Sequence, residues 1–358
     1  MVKILVINPG STTTKLAIYE DEKEVISENL NHSNEELAPF GTKITDQYEF
    51  RRDIIKDFLT KHDIDLNSIS AVIGRGGLSK PIPGGVHLVN EALCKDLYEG
   101  YLGQHASNLG GLIADALAKE IGNNVPAFIA DPVVVDEMED IARLSGLPEL
   151  PRISIFHALN HKACAKRYAN EIGKNYEDIN LIVVHLGGGI SIAAHQKGKV
   201  IDVNNALDGE GPYSPERSGT LPVGGLIKLC YSGKYSLDEL RKLNKGSGGL
   251  VAYQGTNNAK AVCEKGLAGD RKAWLAFFGM AYQVAKEIGA NAAVLKGKVD
   301  AIILTGGVAY NKSFCEFVEE RVSFIAPVVV YPGENEMQAL ALAAYRVLTS
   351  QEKIQHYE

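Results

Sequence analysis

The sequence predicts an α/β protein built from two similar halves. Near the N-terminus, an apolar strand at residues 4–7 runs into a Pro-Gly turn and a return strand at residues 16–19. In the second half, an apolar strand at residues 181–186 runs into a glycine turn and a return strand at residues 191–194. The repetition of this strand, turn and strand predicts a duplicated architecture.

The first half continues with strands and helices, expected at residues 24–27 (strand), 46–61 (helix), 70–73 (strand), 109–121 (helix) and 127–130 (strand). The segment 146–151, Gly-Leu-Pro-Glu-Leu-Pro, then breaks the pattern and predicts a domain crossing. We therefore expect an N-terminal domain of residues 1–150 plus 338–358 and a C-terminal domain of residues 151–337.

The second half repeats the order of the first. Its expected elements are a strand at residues 200–203, a long helix capped by Asp270, a strand at 301–304, a helix from about residue 313 and a closing helix at 337–349. Strand 301–304 ends in Gly306-Gly307, as strand 70–73 ends close to Gly76-Gly77. Two such halves imply a cleft with a phosphate-binding loop on each wall. The alternative is chance repetition of strand and glycine patterns.

Composition narrows the class of protein. A chain of 358 residues predicts two domains. The net charge of −7 argues against nucleic acid as a partner. The five cysteines have no Cys-x-x-Cys spacing, which favours reduced thiols and a cytoplasmic protein. No apolar run approaches the roughly eighteen residues of a membrane span, so no membrane association is expected.

The first hairpin turn is rich in hydrogen-bond donors. Asn8, Ser11, Thr13 and Lys15 belong to the run Asn-Pro-Gly-Ser-Thr-Thr-Thr-Lys, and a tight loop of this kind suits phosphate oxygens. It is not a Walker loop, because the spaced Gly-Lys-Ser/Thr and the following helix are missing. An ordinary threonine-rich turn is the alternative. In the second half, the glycine turn lets the backbone approach phosphate closely at Gly187, Gly188 and Gly189.

Several ordered motifs resemble those of acetate and butyrate kinases, which belong to the superfamily of actin, sugar kinases and heat-shock chaperones. The matching motifs cover nearly the whole chain: residues 8–15, 74–77, 156–161, 185–189, 217–219 and 305–307. Gly188 stands where acetate kinases typically have asparagine, and this chain is shorter, so it is more similar to butyrate kinases. The resemblance implies a duplicated actin-like, ribonuclease H-like fold with two domains around a nucleotide cleft.

The same resemblance implies a reaction in which ATP and a carboxylate give ADP and an acyl phosphate, with Mg²⁺. A short-chain or branched acid such as butyrate or isobutyrate is the expected substrate. Acetate or propionate is the alternative acid. An actin-like or chaperone-like ATP-driven binding protein and a sugar kinase are further alternatives, although two arginines suit an anionic acceptor better than a sugar. A homodimer or higher homo-oligomer is expected.

Four residues are implied to be catalytic by their motif positions. Arg75 and Arg217 would hold the carboxylate and the transferring phosphoryl group, since the guanidinium binds both anions in a bidentate manner. Asp131, at a strand end, would lie near the acid and the metal, with helix capping as the alternative. His157 would donate to the γ-phosphoryl group, with a purely structural histidine as the alternative.

The remaining implied residues concern the nucleotide and the metal. The ATP-binding set also contains His185, Asn258, Gly306 and Gly307, together with the two loops named above. The implied metal-binding residues are Asn8, Asp131 and Glu336, with Glu334 as the alternative to Glu336. The roles of His105, near the acyl site in the resemblance, and of His161 stay open. A zinc site at His157 and His161 is disfavoured, because no His-Glu-x-x-His motif is present.

Overall fold

The computed structural model describes residues 1–41 and 43–358. The chain divides into two compact units: unit 1 comprises Met1–Val135 with Asn335–Glu358, and unit 2 comprises Asp136–Glu334. The chain therefore passes from unit 1 to unit 2 after Val135, and segment 146–151 lies inside unit 2. Among the described residues, none of the helices combines the length and the apolar character that a membrane span requires.

Unit 1 is built on one mixed sheet in the order β12-β5-β6-β4-β1-β2-β3. Its strands are β1 (Lys3–Pro9), β2 (Thr13–Glu20), β3 (Lys23–Asn31), β4 (Ala71–Arg75), β5 (Val86–Leu88), β6 (Ala127–Ala130) and β12 (Ile354–His356). Its helices are α1 (Asn34–Leu37), α2 (Tyr48–Lys61), α3 (Glu91–Glu99), α4 (Asn108–Ile121) and α12 (Glu336–Leu348). Strands β1, β4 and β6 run parallel, so their carboxyl ends lie at one edge of the sheet.

Unit 2 is built on a second sheet in the order β11-β10-β7-β8-β9. Its strands are β7 (Asn180–Leu186), β8 (Ile190–Gln196), β9 (Lys199–Val203), β10 (Ala301–Gly306) and β11 (Val328–Pro332). Its helices are α5 (Ala158–Glu171), α6 (Val223–Cys230), α7 (Leu237–Asn244), α8 (Gly249–Gln254), α9 (Ala259–Leu267), α10 (Arg271–Val294) and α11 (Lys312–Val322).

Five neighbouring strands of unit 1, β6-β4-β1-β2-β3, have the same order as the five strands of unit 2, β11-β10-β7-β8-β9, which confirms the predicted duplication. Strand β1 pairs antiparallel with β2 and parallel with β4, and β7 pairs antiparallel with β8 and parallel with β10. The third strand of each half, β3 or β9, extends the hairpin in antiparallel fashion. Each apolar run is buried on both faces, which is the pattern expected of central strands covered by helices.

The helices expected from periodicity form. Asp270 caps α10, and its carboxylate accepts hydrogen bonds from the backbone N–H groups of Lys272 and Ala273. Helix α10 buries Phe277, Ala281 and Ile288 against the sheet of unit 2. In unit 1, α12 and α4 both contact β1 and β4, so apolar side chains fill a core around the parallel strands. Each unit therefore has its own hydrophobic core.

Candidate functional site

Three residues of interest lie at the carboxyl edge of the unit 1 sheet. Asn8 belongs to the end of β1, Arg75 ends β4, and Asp131 directly follows β6. Because the three strands are parallel neighbours, their ends meet at the same edge. This is the position at which open α/β sheets present reactive side chains.

Helix α12 brings a fourth residue to that edge. Glu336 is the first residue of α12, and its carboxylate accepts a hydrogen bond from Asn8 Nδ2 at 2.7 Å. Arg75 Nη1 lies 2.8 Å from Oε1 and 2.9 Å from Oε2 of the same carboxylate. The structure therefore brings together Asn8, Arg75 and Glu336, whereas Glu334 lies in unit 2 and contacts His185 instead.

The glycines beside Arg75 allow α4 to approach β4 closely. A Cβ on Gly74 would lie 2.1 Å from the carbonyl oxygen of Gly110, and one on Gly77 would lie 2.4 Å from the side-chain oxygen of Asn108. No larger residue fits at either position without moving the helix. The Gly-Arg-Gly-Gly motif thus fixes the backbone that carries Arg75.

Asp131 has an unusual backbone conformation. Its φ is 38°, which is rare for a residue other than glycine, and it is only 5% exposed. Its carboxylate accepts a hydrogen bond from Gly85 N at 2.7 Å. The next helical segment in the chain, a 3₁₀ helix, begins only at Asp140, so the capping alternative for Asp131 is wrong.

The first hairpin turn rests on a buried arginine that the sequence analysis missed. Arg51, from α2, is completely buried, and its guanidinium donates to the carbonyl oxygens of Ser11 and Thr13 at 2.9 and 2.7 Å. Its other N–H groups donate to Thr14 Oγ1 and Gln47 Oε1. Burial lowers the pKa of Arg51 to about 10. A signal was present, since Arg51 precedes Ile55 by four residues on the apolar face of α2.

The predicted phosphate residues of the first hairpin differ in exposure. Ser11 and Lys15 are exposed and Thr13 is half-buried, whereas Asn8 is buried. Gly10 closes the turn by donating its N–H to the Thr13 carbonyl at 2.8 Å, and a Cβ on Gly10 would lie 2.7 Å from Thr13 Oγ1. Backbone constraint and Arg51 together hold this loop.

The glycine turn of unit 2 lies against Arg217. The Gly187 N–H donates to the Gly189 carbonyl at 3.0 Å, and a Cβ on Gly189 would lie 1.9 Å from Arg217 Nη1. Arg217 donates to the Ala206 carbonyl oxygen, and burial lowers its pKa. The structure thus places Arg217 directly beside the predicted second phosphate loop. A side chain at position 189 would displace the Arg217 guanidinium from this place.

Four histidines cluster beside this turn. His157 precedes α5, and its ring stacks on His185 with centroids 3.7 Å apart and planes 9° apart. His185 Nδ1 lies 2.9 Å from Asn160 Oδ1, and His185 Nε2 lies 3.2 Å from Glu334 Oε1. His157 Nδ1 lies 2.9 Å from Ser191 Oγ. His161 and His195 lie behind them, completely buried.

A cavity of about 710 Å³ lies in unit 2 beside the glycine turn. Gly187, Gly188, Asn258 and Gly307 are among the residues that line it. Its size suits a nucleoside. Asn258 also caps α9 by accepting from Ala261 N at 3.0 Å, so its side-chain oxygen has a structural role as well. The structure therefore brings three of the predicted nucleotide regions to one cavity.

Gly306 directly precedes Gly307 of the cavity lining and makes a close backbone contact. Its φ is 89°, and a Cβ there would lie 2.5 Å from the Leu186 carbonyl oxygen. His105 lies elsewhere, in unit 1, where its Nδ1 is 2.8 Å from Ser107 Oγ at the start of α4. This contact gives His105 a structural role at the helix N-terminus.

Asn8, Asp131 and Glu336 in unit 1 offer a few oxygen atoms that suit Mg²⁺ as ligands. Within residues 1–41 and 43–358, no group of three or more His, Cys, Asp or Glu side chains forms a complete metal cage. Mg²⁺ is commonly held by one or two carboxylates together with substrate phosphates and water. Asp131, Glu336 and the Asn8 amide are hard oxygen ligands of that kind, so the residues present fit this ion.

Comparisons with known proteins match this chain to acetate and butyrate kinases. The model of the acetokinase family matches residues 152–336. Butyrate kinase 2 of Clostridium acetobutylicum is 59% identical over 356 residues, which cover 99% of both chains. Butyrate kinase 1 of the same organism is 56% identical over 358 residues, which cover 100% of both chains.

Solved structures share the fold. The crystal structure of Porphyromonas gingivalis acetate kinase matches 97% of this chain and 100% of its own, with a TM-score of 0.79 and 19% identity. The crystal structure of a propionate kinase from Francisella tularensis matches 96% of this chain and 99% of its own, with a TM-score of 0.73 and 20% identity. The fold is thus the duplicated actin-like fold of these kinases. This chain belongs to the acetokinase family and is a phosphotransferase.

Proposed function

We propose that this kinase transfers the γ-phosphoryl group of ATP to the carboxylate of butyrate or isobutyrate, giving ADP and an acyl phosphate in a reversible reaction. The observation that carries the proposal is the 59% identity to butyrate kinase 2 over nearly the full length of both chains. The anion-binding side chains at the sheet edge of unit 1 and at the glycine turn of unit 2 agree with it.

Arg75 binds the carboxylate of the acid in this proposal. It ends a central strand beside Asn8 and Glu336, and its planar guanidinium matches a carboxylate in shape and charge. The acid is already ionised at neutral pH, so no general base is needed to activate it. Asp131 therefore orients the reactants instead of removing a proton.

Arg217 and His157 stabilise the transferring phosphoryl group. Charge spreads over its oxygens during transfer, and fixed donors aimed at that charge lower the barrier. Arg217 is held by the Ala206 carbonyl and by the close packing of Gly189. His157 is held by its stacking on His185 and by Ser191. Both side chains are therefore preorganised.

The nucleotide is bound by two loops and a cavity. Asn8, Ser11, Thr13 and Lys15 serve the polyphosphate from the first hairpin, and Gly187, Gly188 and Gly189 do so from the second. His185 supports the second loop, and Asn258, Gly306 and Gly307 serve the adenosine. The cavity of about 710 Å³, lined by Gly188, Asn258 and Gly307, supports this assignment.

We include Mg²⁺ with ATP in this proposal, where the bound ion would supply positive charge near the phosphate oxygens. Asn8, Asp131 and Glu336 would hold it. Glu336 is preferred to Glu334, because Glu336 lies with Asn8 and Arg75 at the carboxyl edge of the unit 1 sheet. Glu334 lies instead against His185.

We also propose a cytoplasmic homodimer. The five cysteines are free thiols, and three of them are buried, as expected in a reducing compartment.

Helix α6 exposes Val223, Leu226 and Ile227, an apolar surface that a second copy would cover. Sedimentation equilibrium of the wild type and of Ile227→Glu tests the dimer. A monomeric wild type would contradict it.

The deciding experiment is acyl phosphate formation, trapped as the hydroxamate, from ATP, Mg²⁺ and a panel of acids from acetate to valerate that includes isobutyrate. A maximum of kcat/KM at the four-carbon acids is expected. A maximum at acetate or propionate would contradict the proposed substrate but leave the kinase chemistry intact. No product with any acid would contradict the proposal as a whole.

A further inference from the structure

A continuous chain of hydrogen bonds runs behind His157. Ser191 Oγ lies 2.9 Å from His157 Nδ1 and 2.8 Å from His161 Nε2. His161 Nδ1 lies 3.3 Å from His195 Nε2, and His195 Nδ1 lies 2.6 Å from the Tyr176 hydroxyl. Ser191, His161 and His195 are completely buried, and Tyr176 is 4% exposed. All five residues belong to unit 2.

Proton counting limits this chain to two arrangements. A neutral imidazole carries one N–H and one bare nitrogen, so an internal histidine that accepts on one side must donate on the other. His161 and His195 are neutral because burial lowers the pKa of each well below its usual range, and the charge of Lys162 lowers that of His195 further. Among the described residues, Ser191 Oγ has His157 and His161 as its hydrogen-bond partners, and accepting from both would leave its own proton buried without an acceptor. Ser191 therefore donates to one histidine and accepts from the other, so all hydrogen bonds in the chain point either toward His157 or away from it.

The tyrosine decides the direction. A phenol O–H is a stronger donor than a neutral imidazole N–H, and imidazole nitrogen is a stronger acceptor than phenol oxygen. Tyr176 therefore donates to His195 Nδ1 across the short distance of 2.6 Å. His195 then donates to His161, His161 to Ser191, and Ser191 to His157 Nδ1.

We propose that Tyr176 acts as a positioning residue for His157, holding it through this chain as the tautomer with its proton on Nε2. The inference rests on the proposed function, in which His157 donates to the phosphoryl group. A neutral His157 of the opposite tautomer would turn a lone pair toward anionic oxygens and could not donate from Nε2. Stacking on His185 at 3.7 Å fixes the plane of the ring, and the chain fixes its proton.

The test is ¹⁵N-histidine NMR of the full-length enzyme without ATP, because long-range ¹H–¹⁵N correlations distinguish the two tautomers. The wild type is expected to have His157 with a bare Nδ1. Tyr176→Phe removes the hydroxyl that donates to His195 and sets the direction of the hydrogen bonds, so both tautomers of His157 are expected. The matched control is Tyr331→Phe, which removes a phenol hydroxyl of unit 2 that donates to Glu171, outside the chain. It should leave the His157 signals unchanged.

Kinetics provide the second readout. Only the His157 tautomer with its proton on Nε2 can donate to the phosphoryl group. Tyr176→Phe should therefore lower kcat by about two- to tenfold, depending on the fraction of enzyme that keeps this tautomer, with KM unchanged. Ser191→Ala breaks the last link and should have at least this effect, while Ser191→Thr, which restores the hydroxyl, should recover the Nε2–H tautomer. Tyr331→Phe should keep wild-type kcat.

The outcomes separate this inference from the proposed function. A wild-type His157 that carries its proton on Nδ1 would overturn the inference, as would unchanged His157 signals and kcat in both Tyr176→Phe and Ser191→Ala. Full activity of His157→Ala would instead overturn the proposed role of His157, whatever the NMR spectra of the apoenzyme contain.

Discussion

Arg75 and Glu336 are 261 positions apart in the sequence and form an ion pair in which Nη1 lies 2.8 and 2.9 Å from the two carboxylate oxygens. Arg75 is 26% exposed and Glu336 is 16% exposed, so the pair is partly desolvated. The contact joins the end of β4 to the first turn of α12. Arg75, which we propose to bind the acid, is therefore paired with Glu336, which we propose to bind the metal.

Glu336→Gln should raise the Mg²⁺ concentration needed for half-maximal activity. The substitution removes the carboxylate that we propose as a metal ligand while keeping an oxygen that can accept from Asn8, so the fold should survive. We expect a rise of about tenfold or more, measured by Mg²⁺ titration of acyl phosphate formation. Glu334→Gln is the matched control and should leave the Mg²⁺ requirement unchanged. The reverse pattern would assign the metal to Glu334.

Arg217→Lys should lower kcat by about a hundredfold, because an ammonium group cannot reproduce the planar donor fork beside Gly189. Steady-state kinetics at saturating ATP and butyrate provide the measurement. Arg217→Ala should be at least as inactive, and circular dichroism should remain like that of the wild type. Kinetics close to the wild type for both variants would remove Arg217 from the proposed site.

Arg51→Met should destabilise unit 1 and loosen the first hairpin. It leaves the carbonyl oxygens of Ser11 and Thr13 without their buried donor, at a cost of about 3 kcal/mol in the free energy of unfolding. Urea denaturation measures that cost, and the KM for ATP should rise. Arg52→Met is the matched control in the same helix. Its ion pairs with Glu49 and Asp53 lie at the surface and should contribute at most about 1 kcal/mol. Equal effects of the two substitutions would contradict the role of Arg51.

His87→Phe should make stability less sensitive to acid. His87 lies in β5, is 1% exposed, and has its pKa lowered to about 4 by burial. An unfolded histidine has a pKa of about 6.5, so as the pH falls toward 4 the unfolded chain binds a proton that the folded chain does not. The wild type therefore loses stability over this range, at up to about 1.4 kcal/mol per pH unit from this residue.

The check is urea unfolding of the wild type and His87→Phe at neutral pH and at about pH 5, where the wild type should have lost about 2 kcal/mol more than the variant. Phenylalanine does not titrate, so the packing changes that it causes should appear equally at both pH values. An identical pH dependence for the two proteins would show that His87 is not buried in its neutral form.

Much of the secondary structure was predictable because it depends on local pattern. Apolar runs of four to six residues ended by glycine turns predicted β1, β7 and β10, and Asp270 predicted the start of α10. The repeated strand, glycine turn and strand predicted the duplication. The glycines that flank Arg75 singled it out as a candidate at a strand end, and its proposed role stays a prediction.

Only the tertiary structure decided which distant side chains meet. The choice of Glu336 as the partner of Arg75 and Asn8 depends on where α12 begins relative to the ends of β1 and β4. Arg51 beneath the hairpin, and the chain from Tyr176 to His157, likewise join residues from separate elements. Apolar periodicity and turn-forming residues act over a few neighbouring positions, so the strands, helices and turns that they produce can be predicted from the sequence. Hydrogen bonds between buried polar groups act across the fold, so packing alone determines their partners.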